Sequence, residues 1–367
     1  MRPTRAEIDL AAIRHNVQQI KAATNPANKV FAVVKANAYG HGAVKISQAA
    51  LSSGADGLAV ALPEEGAELR AAALAAPIFV LGLTLPEDVD TLIRHKLIAT
   101  VSTKESLVAL DEGARKAGTT AEVMLKIDTG MGRIGITPDQ FDEFLHEIVN
   151  LPNIRLKGAF THLASADAAD KTYALSQLKA FKPLADKLPP ASISSAANSA
   201  TIIDLPDGHF NTVRPGIILY GLPPSGEMHS SLDLRPAMEL KTRIVYIKKV
   251  GPGTAVSYGC THHTKTQTYL ATLPIGYADG YSRLLSNKAS VLIGGRRRPI
   301  VGRVCMDQLI VDLGPICDAE IGDEAVLFGR QGDAEITVTE LADLIGTINY
   351  ELVCAVSSRV PRVYLNE

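Results

Sequence analysis

The sequence predicts an α/β fold, with an N-terminal (β/α)8 barrel of the TIM type followed by a mainly β C-terminal domain. The chain has 367 residues, more than one hydrophobic core usually accommodates. Between residues 29 and 217, short β-branched runs alternate with amphipathic stretches, which is the pattern of repeated βα units. The composition then changes to proline, serine and glycine over residues 222–236, as is typical of a linker. We therefore predict domains of residues 1–235 and 236–367.

The first domain contains eight short apolar runs, and their continuous apolar character predicts strands buried on both faces. Helical periodicity between them is clearest at residues 104–116 and 170–187, and a further helix is predicted at residues 10–23. An open doubly wound sheet is the alternative, but the count of eight and the lack of GxGxxG after the first strand favour a closed barrel. The predicted strands are residues 30–34, 57–61, 78–81, 98–101, 121–127, 155–160, 192–195 and 212–217.

The second domain is predicted from short runs separated by turns, with one helical pattern at residues 338–344. The basic run Arg296–Arg298 follows Gly294 and Gly295, so we expect a solvated hairpin there rather than a binding site. The predicted strands of this domain are residues 240–250, 268–273, 290–293, 300–304, 309–311 and 325–328.

The charge balance excludes partners that require a strong electric field. Lys and Arg total 37 against 39 Asp and Glu, which gives a formal net charge of -2, so no global field attracts nucleic acid or an anionic membrane. The N-terminus lacks the apolar core of a secretory signal, and no apolar stretch has the length of a membrane span. We expect a cytoplasmic protein that acts on a small molecule.

The cysteine spacing indicates neither a zinc site nor a disulfide framework, so we expect reduced thiols and no metal. His262 and His263 adjoin one cysteine, but adjacent histidines point apart on a strand and no further ligand lies at a suitable spacing. The four cysteines are Cys260, Cys305, Cys317 and Cys354.

The apolar run that includes Phe31 ends on Lys35, which small residues, Tyr39 and two glycines follow. A strand buried on both faces would project this last side chain into a cavity roofed by loops. Desolvation there disfavours the ammonium form, and an amine of lowered pKa is a nucleophile suited to Schiff-base formation. The alternative is an ordinary solvated lysine, since lysines are rarely buried.

Polar residues follow five of the predicted barrel strands, and the strands of a parallel barrel all end at one rim. Individually these residues have ordinary alternatives, since Asp128 suits a turn and His162 suits a satisfied core histidine. Their convergence predicts one pocket formed by Lys35, Lys126, Asp128, Arg133, His162, Asn198, Ser199, Arg214 and Gly216.

The loops after the seventh and eighth strands suit a phosphate group. Barrels often bind phosphate there, where backbone N–H groups are available. Ser199 supplies a hydroxyl, and Gly216 lets the backbone approach a ligand closely. Together with a Schiff-base lysine, these loops suggest pyridoxal phosphate, which carries both an aldehyde and a phosphate.

Nine motifs resemble those of the alanine racemases, pyridoxal-phosphate enzymes built from a barrel and a β domain, and they occur in that family's order. The resemblance extends over the whole chain, and nine motifs in order are specific although each is weak alone. The motifs are AVVKANAYGHG around Lys35, KIDTGMGRIG from Lys126, FTHLASAD around His162, AANSA around Ser199, VRPGIILYG from Val213, VSYG ending at Gly259, PIGYADGYSR from Pro274, GRVCMDQ from Gly302 and INYE ending at Glu351.

The resemblance implies that Lys35 forms an aldimine with pyridoxal 5'-phosphate and that Arg214 faces the pyridine nitrogen. Because arginine does not release its proton, it cannot accept one from the ring, which we expect to stay unprotonated. A less effective electron sink should disfavour transamination. The other residues implied in cofactor binding are Tyr39, Arg133, His162, Asn198, Ser199, Gly216, Ile217 and Tyr350.

Interconversion of L-alanine and D-alanine removes a proton from one face of a planar carbanion and returns one to the other, for which two acid–base groups suffice. The resemblance implies that these groups are Lys35 and Tyr258, the tyrosine coming from the partner subunit, so we expect a homodimer with shared active sites. An unperturbed tyrosine has a pKa of about 10 and needs a cationic neighbour. His162, bridging Tyr258 and Arg214, would supply that charge.

The resemblance also implies how the substrate is held. Arg133 would contact the cofactor's phenolic oxygen and the substrate carboxylate, and Met306 from the partner would add a backbone contact. A narrow entrance favours the methyl side chain of alanine over larger ones. The residues implied at this gate are Tyr277, Arg283, Arg303 and Tyr350.

Two positions leave alternatives open. Lys126 matches a lysine that is carbamylated in some relatives, where the new carboxylate holds the arginine equivalent to Arg133. The alternative is a plain surface pair of Lys126 with Asp128. Ser195 stands where some relatives have a histidine stacked near the cofactor ring, so the resemblance leaves the ring packing open.

Two other functions fit the same two-domain design, and a third fits a barrel alone. A broad-specificity or serine racemase would keep Lys35 and Tyr258 but would need a roomier entrance. A decarboxylase of basic amino acids is disfavoured by the Tyr258 context and by the MGRIG segment. A non-catalytic pyridoxal-phosphate carrier would not need the β domain. For an alanine racemase, the sequence leaves open whether D-alanine is supplied for peptidoglycan or catabolised.

Overall fold

A computed structural model describes residues 3–367, which form two compact units. One, the barrel unit, consists of Ala12–Ala38 and Gly42–Arg235; the other, the C-terminal unit, combines Pro236–Glu367 with Tyr39–His41 and the chain up to Ala11. The sequence analysis assigned all residues before 236 to the barrel. In the structure, strand β1 (Arg5–Asp9) instead pairs with two strands of the C-terminal unit, antiparallel to one and parallel to the other, and its residues are alternately half-buried and buried.

The barrel unit contains eight parallel strands, which confirms the predicted architecture. Their order around the sheet is the chain order, and the last strand returns to pair with the first. The strands are β2 (Lys29–Val33), β3 (Gly57–Val60), β4 (Ile78–Leu83), β5 (Ile98–Val101), β6 (Ala121–Lys126), β7 (Ile154–Phe160), β8 (Ile193–Ser195) and β9 (Thr212–Val213).

Helices alternate with these strands, and strands β3 and β5 are buried along their whole length, as expected where helices cover one face and the barrel interior the other. Thr103 explains one helix start, because its side chain accepts a hydrogen bond from Ser106 N–H at 3.2 Å. The helices are Leu10–Ala22, Ala43–Ser52, Pro63–Ala71, Val89–Arg94, Lys104–Lys116, Phe141–Val149, Thr172–Ala185 and Ser199–Asp204.

The barrel closes between β8 and β9, although the last strand is shorter than predicted. Pro215 lacks an N–H and cannot continue a ladder, so residues 217–220 form a 3-10 turn instead of extending β9. Ser195 Oγ donates to Thr212 O at 2.7 Å, and Arg214 N–H donates to Ala197 O at 3.0 Å. These bonds join the two strands, between which the described residues form no strand ladder.

Gly158 allows strands β7 and β8 to approach each other closely. Its φ is +153°, and a Cβ at this position would lie 1.9 Å from Ile193 O. The register between β6 and β7 shifts at the adjacent pair, the bulge that such a glycine permits. No local sequence pattern indicates this irregularity.

The C-terminal unit is mainly β, as predicted. Its helices are Val338–Ile345 and Asn349–Ala355. Its strands are β10 (Met238–Arg243), β11 (Tyr246–Val250), β12 (Ala255–Val256), β13 (His262–His263), β14 (Thr268–Leu273), β15 (Ser290–Ile293), β16 (Arg296–Pro299), β17 (Leu309–Gly314), β18 (Glu324–Gln331), β19 (Ala334–Ile336) and β20 (Arg362–Leu365). The largest sheet has the order β16-β15-β18-β10-β1-β20, with β19 paired to β18, and smaller sheets are β11-β14-β17 and β12-β13.

Two strand predictions in this unit were wrong in detail. Residues 240–250 form two strands rather than one, and residues 300–304 form no strand, since Ile300 makes only a single bridge to Val311. The Arg296–Arg298 run lies in a hairpin strand, as expected, and its guanidinium groups pair with Asp318 and Glu340.

Three further observations concern partners and chemistry. No helix within residues 3–367 combines the length and apolar character needed to cross a membrane. No disulfide joins any two cysteines. The described chain also holds no group of three or more His, Cys, Asp or Glu side chains that suits a metal ion.

A buried ion pair fastens the linker to the barrel unit. Lys171 Nζ lies 2.7 Å from Asp204 Oδ2, with the side chains 9% and 0% exposed. The same carboxylate accepts hydrogen bonds from the linker N–H groups of His229 and Ser230, each at 3.0 Å. Burial raises the pKa of Asp204, but Lys171 and the two N–H groups outweigh burial and lower it.

We predict that Asp204→Ala lowers the free energy of unfolding by about 3 kcal/mol at pH 7, because it leaves Lys171 buried without its counter-ion. A carboxylate of lowered pKa stabilises the fold above its unfolded pKa of about 4. The difference from wild type should therefore shrink as the pH falls through the folded pKa. Urea unfolding at several pH values measures this, with exposed Asp207→Ala as the control; equal effects of the two variants would contradict the role of the pair.

Candidate active site

The structure brings the charged residues of the predicted pocket together at the carboxyl ends of the barrel strands. Lys35 follows β2, Lys126 ends β6, His162 follows β7 and Arg214 follows β9. Burial, and then the charges of Arg214, Arg133, Lys126 and Lys35, lower the pKa of His162 to about 3. Four basic side chains thus act electrostatically on one imidazole, and all four lie on segments that follow strands at one rim of the barrel unit.

The backbone after Lys35 forms a left-handed turn. The φ angles of Ala36–Tyr39 lie between 51 and 53°, a conformation that costs roughly 1–2 kcal/mol per non-glycine residue. The N–H of Ala38 donates to Val34 O at 2.8 Å and closes the turn onto the end of the strand. Such strain persists only where surrounding contacts hold it, and it is concentrated at functional sites.

Lys126 is buried rather than part of a surface pair, which removes the ordinary alternative for this residue. It is 2% exposed, and its Nζ donates to Ile127 O at 2.7 Å and lies 5.4 Å from the Phe160 ring centroid. Burial, and then the charge of Arg214, lower the pKa of Lys126 to about 7. A large fraction of this amine is therefore neutral at physiological pH.

Asp128 organises the loop that carries Arg133. Its Oδ1 accepts hydrogen bonds from Gly130, Met131 and Gly132 N–H at 2.9, 2.8 and 3.1 Å. Burial raises the pKa of Asp128, but these donors and Lys126 together lower it. Arg133 itself is exposed, and its side chain makes no hydrogen bond within residues 3–367, so the guanidinium is available to an anionic ligand.

Arg214 is 4% exposed, and neighbouring oxygens fix its guanidinium. Nη2 donates to Thr161 O at 2.8 Å, and Nη1 donates to Ser195 Oγ through a short contact. Its Cζ lies 5.3 Å from the Phe160 ring centroid. Burial lowers the pKa of Arg214 to about 9, so it remains charged at neutral pH. Ser195, whose role the sequence left open, holds this arginine.

The loops after β8 and β9 are joined through Ser199, whose Oγ accepts from Gly216 N–H at 2.9 Å. Asn198 lies at the start of the short helix Ser199–Asp204, where its Oδ1 accepts from Thr201 N–H at 3.0 Å. Asn198 therefore orders the loop that presents the Ser199 hydroxyl. Ile217 begins the 3-10 turn directly after Gly216.

His162 differs electrostatically from the expectation. The sequence analysis gave it a cationic role, but a pKa of about 3 makes it neutral at physiological pH. No hydrogen bond joins it to Arg214 within the described chain, because that guanidinium donates to Ser195 and Thr161. A neutral imidazole relays a hydrogen bond and cannot supply positive charge.

The sequence analysis missed the residues that support these loops. Gln177 is fully buried; its Oε1 accepts from Ala164 N–H at 2.8 Å and its Nε2 donates to His162 O at 3.2 Å. Thr129 and Thr161 share a hydrogen bond of 2.7 Å. Such partners lie on different loops, so no local sequence pattern signals them; only a glutamine on the buried side of a predicted helix offered a clue.

In the C-terminal unit, Tyr258 lies on a strained, exposed turn. It is 71% exposed, and the preceding Ser257 has a φ of 64°. Ser257 Oγ donates to Arg303 O at 2.6 Å, which ties the turn to the segment of residues 302–306. Gly302 is required there, because its φ is +76° and a Cβ would lie 2.7 Å from Ser257 Cβ.

The same segment holds the predicted gate residues of this unit. Tyr277 N–H donates to Cys305 O, and the next N–H donates to Met306 O, both at 3.0 Å. Ser286 Oγ accepts from Val304 N–H at 2.9 Å and closes the 3-10 turn of Arg283. Tyr258, Tyr277, Arg283, Arg303 and Met306 thus belong to one hydrogen-bonded region.

The two remaining tyrosines predicted at the site lie near each other in the C-terminal unit. The rings of Tyr39 and Tyr350 have centroids 6.1 Å apart at an interplanar angle of 46°. Burial, and then the neighbouring Cys354, raise the pKa of Tyr39, so its phenol keeps its proton and can act as a hydrogen-bond donor.

The donor set of the barrel unit fits the pyridoxal phosphate that the resemblance implies. Four basic side chains act on His162, and Asp128 directs its carboxylate oxygen to backbone N–H groups. A bound dianionic phosphate and a phenolate would balance this charge. Lys35 offers the amine, Ser199 and the backbone of Gly216 and Ile217 lie where a phosphate would bind, and Arg214 remains a donor.

Two family models match nearly the entire chain: "Alanine racemase, N-terminal domain" over residues 8–224 and "Alanine racemase, C-terminal domain" over residues 237–364. The chain is 47% identical over 370 residues to the alanine racemase of Halothermothrix orenii, covering 100% of this chain and 98% of the relative.

Solved structures give the same result. The alanine racemase of Clostridium difficile 630 matches with a TM-score of 0.94 and 42% identity, covering 100% of this chain and 96% of that chain. The alanine racemase of D-cycloserine producing Streptomyces lavendulae matches with a TM-score of 0.95 and 39% identity, covering 100% and 98%. Sequence and structure comparisons therefore agree over both units.

Proposed function

Because this chain belongs to the alanine racemase family, whose members are pyridoxal-phosphate-dependent isomerases, we propose that Lys35 and Tyr258 are its two acid–base groups. The chain interconverts L-alanine and D-alanine. The observation that carries the assignment of the site is its geometry at one rim of the barrel, where Lys35 follows β2 while Lys126 and Arg214 lie 5.4 and 5.3 Å from the Phe160 ring centroid. A single anion-binding site next to an amine is what this cofactor requires.

Lys35 would hold the cofactor covalently through Nζ. Its phosphate group would be bound by the loops that contain Ser199, Asn198, Gly216 and Ile217. When bound, the cofactor supplies an electron sink that acidifies the α-hydrogen of the amino acid. Arg214 stays protonated, because burial lowers its pKa only to about 9, so it would donate to the pyridine nitrogen of a bound cofactor and would take no proton from it. This choice limits the sink and favours return of the proton to the α-carbon.

Two groups on opposite faces move the proton. Lys35 Nζ serves one face, and we assign the other to Oη of Tyr258 of the partner subunit. The 71% exposure of Tyr258 on a turn held by Ser257 supports this assignment, since a phenol presented in this way can enter a second molecule. The active protein is then a homodimer, and each site is incomplete without the partner.

The substrate carboxylate would be bound by Arg133, whose side chain is exposed, and by the backbone at Met306 of the partner subunit. Tyr277, Arg283, Arg303 and Tyr350 would narrow the entrance and Tyr39 would donate from its protonated phenol. A narrow entrance selects the methyl group of alanine, because a larger side chain must displace packed neighbours.

We further propose that Lys126 is carbamylated. Carbon dioxide adds only to a neutral amine, and the pKa of Lys126 is lowered to about 7 by burial and Arg214. The resulting carbamate would place a negative charge beside Arg214 and Arg133, the two cations that act on Lys126. It would also hold Arg133 in position for the substrate.

The four cysteines, none of them in a disulfide, suit the reducing cytosol, where we place the protein. Because the reaction is reversible, one site serves either the supply of D-alanine for peptidoglycan or its catabolism.

We predict that, in deuterated water, the pyridoxal-phosphate-loaded protein converts L-alanine to D-alanine with deuterium at the α-carbon. The kcat/KM for serine should be at least about tenfold lower because of the narrow entrance, and lysine should react more slowly still. Chiral chromatography with mass spectrometry measures all three. Equal rates would indicate a broad-specificity racemase, carbon dioxide release a decarboxylase, and no deuterium uptake a carrier.

We predict that Lys35→Ala and Tyr258→Phe each lower racemisation at least about a hundredfold, the usual contribution of one acid–base group. Co-expression of the two variants with different tags gives mixed dimers in which one of the two sites is intact. A statistical mixture should recover about a quarter of wild-type activity. Racemase assays on each purified dimer test this, and inactive mixed dimers would contradict shared sites.

We predict that carbamylation of Lys126 increases as the pH rises through about 7, because more of the amine becomes neutral. Carbon-13 NMR with labelled bicarbonate, together with intact mass, measures the carbamate. Lys104 is the matched control, since hydrogen bonds to Glu143 and Glu147 raise its pKa to about 12 and keep it protonated. Lys126→Arg should abolish the signal; a signal that persists in this variant would assign it elsewhere.

A further inference from the structure

Glu65 contacts the strained turn that follows Lys35. Its Oε1 accepts a hydrogen bond from Ala36 N–H at 2.6 Å, the peptide group that joins Ala36 to Lys35. Its Oε2 accepts from Ala61 and Leu62 N–H at 2.7 and 3.1 Å. One carboxylate therefore links the ends of two adjacent strands, β2 and β3, at the rim where Lys35 lies.

The other hydrogen bonds of the turn act further along the chain. Ala38 N–H donates to Val34 O at 2.8 Å, and Asn37 Oδ1 accepts from Ala43 N–H at 2.8 Å. These bonds fix the middle of the turn and its exit into the next helix. Glu65 thus holds the first peptide of the turn through its N–H group.

We propose that Glu65 is a positioning residue that orients the Lys35 amine by fixing the Lys35–Ala36 peptide in its left-handed turn. This inference rests on the proposed role of Lys35. Bonds from backbone N–H groups to a charged acceptor are stronger than neutral ones, which suits a position that has to offset backbone strain. Glu65 reaches the turn from the first turn of the helix Pro63–Ala71, a regular element adjoining β3.

A carboxylate is required because all three partners are donors. A glutamine at this position would offer one acceptor oxygen and turn its amide NH2 toward at least one N–H group. Glu65→Gln should therefore release part of the network while changing the side-chain volume little. Glu64 is the matched control, since it lies exposed in the first turn of the same helix and Glu64→Gln removes the same charge.

The turn itself provides a rescue test. Glycine adopts positive φ without the steric cost that alanine incurs, and Ala36 is exposed, so Ala36→Gly should relieve strain with little other effect. Adding Ala36→Gly to Glu65→Gln should restore much of what Glu65→Gln loses. A purely structural role of Glu65 elsewhere in the barrel would not be rescued at position 36.

The experiment compares the pyridoxal-phosphate-loaded wild type, Glu65→Gln, Glu64→Gln and the Glu65→Gln/Ala36→Gly double variant. In Glu65→Gln, kcat should fall about 10- to 100-fold, the scale expected for a displaced reactive group. The KM for alanine should change less than about threefold, because other residues bind the substrate. Hydrogen exchange of the peptide at residues 34–40 should accelerate about tenfold or more. Glu64→Gln should match wild type, and the double variant should recover toward it.

Outcomes that overturn the proposal are distinct from failure of the proposed function. Identical kcat and exchange in Glu65→Gln and Glu64→Gln, or an unchanged double variant, would overturn the role of Glu65. If Glu65→Gln does not fold, exchange in the wild type decides: rapid, unprotected exchange at residues 34–40 would overturn it, and protection with a folded double variant would support it. Borohydride reduction and peptide mapping of wild type test Lys35 separately, since no adduct there would refute the proposed function itself.

Discussion

The barrel site depends on positive charge that its own carboxylates do not neutralise. Lys126 and Arg214 both lie against the Phe160 ring, at 5.4 and 5.3 Å from its centroid, and burial is the first cause that lowers the pKa of each. Bringing like charges together out of water is costly, which is why a large fraction of the Lys126 amine is neutral at physiological pH. Carbonyl oxygens and the ring face offset part of that cost, and an anionic ligand would offset the rest. The excess of positive charge at the site therefore favours binding of an anionic cofactor.

The acidic residues nearest this cluster bind backbone instead of cations. Asp128 accepts hydrogen bonds from three successive N–H groups, and Glu65 accepts from three N–H groups on two strand ends. In both cases a carboxylate shapes the loop that presents a cation, Arg133 in one and Lys35 in the other. The acids therefore order the site without consuming the charge that a phosphate or a substrate carboxylate needs.

Sequence was informative about elements and about which residues converge, because both follow from local rules. Apolar runs indicate the eight strands, and the strands of a parallel barrel end at one rim. The sequence alone therefore predicts that Lys35, Lys126 and Arg214 lie together. It was uninformative wherever a contact joins distant segments: the pairing of β1 with the C-terminal unit, the Ser195 contact to Arg214 and the Glu65 network. His162 shows the same limit, since the protonation state follows from four charges brought together by folding.

Half of the non-glycine residues with positive φ lie beside the two proposed acid–base groups. Twelve non-glycine residues within residues 3–367 have positive φ, and six of them, Ala36–Tyr39, Ser257 and Cys260, adjoin Lys35 or Tyr258. Each such residue costs stability, and nothing in strand or helix formation requires it there. In each unit polar side chains hold the strained turn, Glu65 and Asn37 in one and Ser257 in the other. The strained turns hold the proton-transferring atoms in fixed positions, which explains why their cost in stability is tolerated. A displacement of about 1 Å can lower a rate a hundredfold.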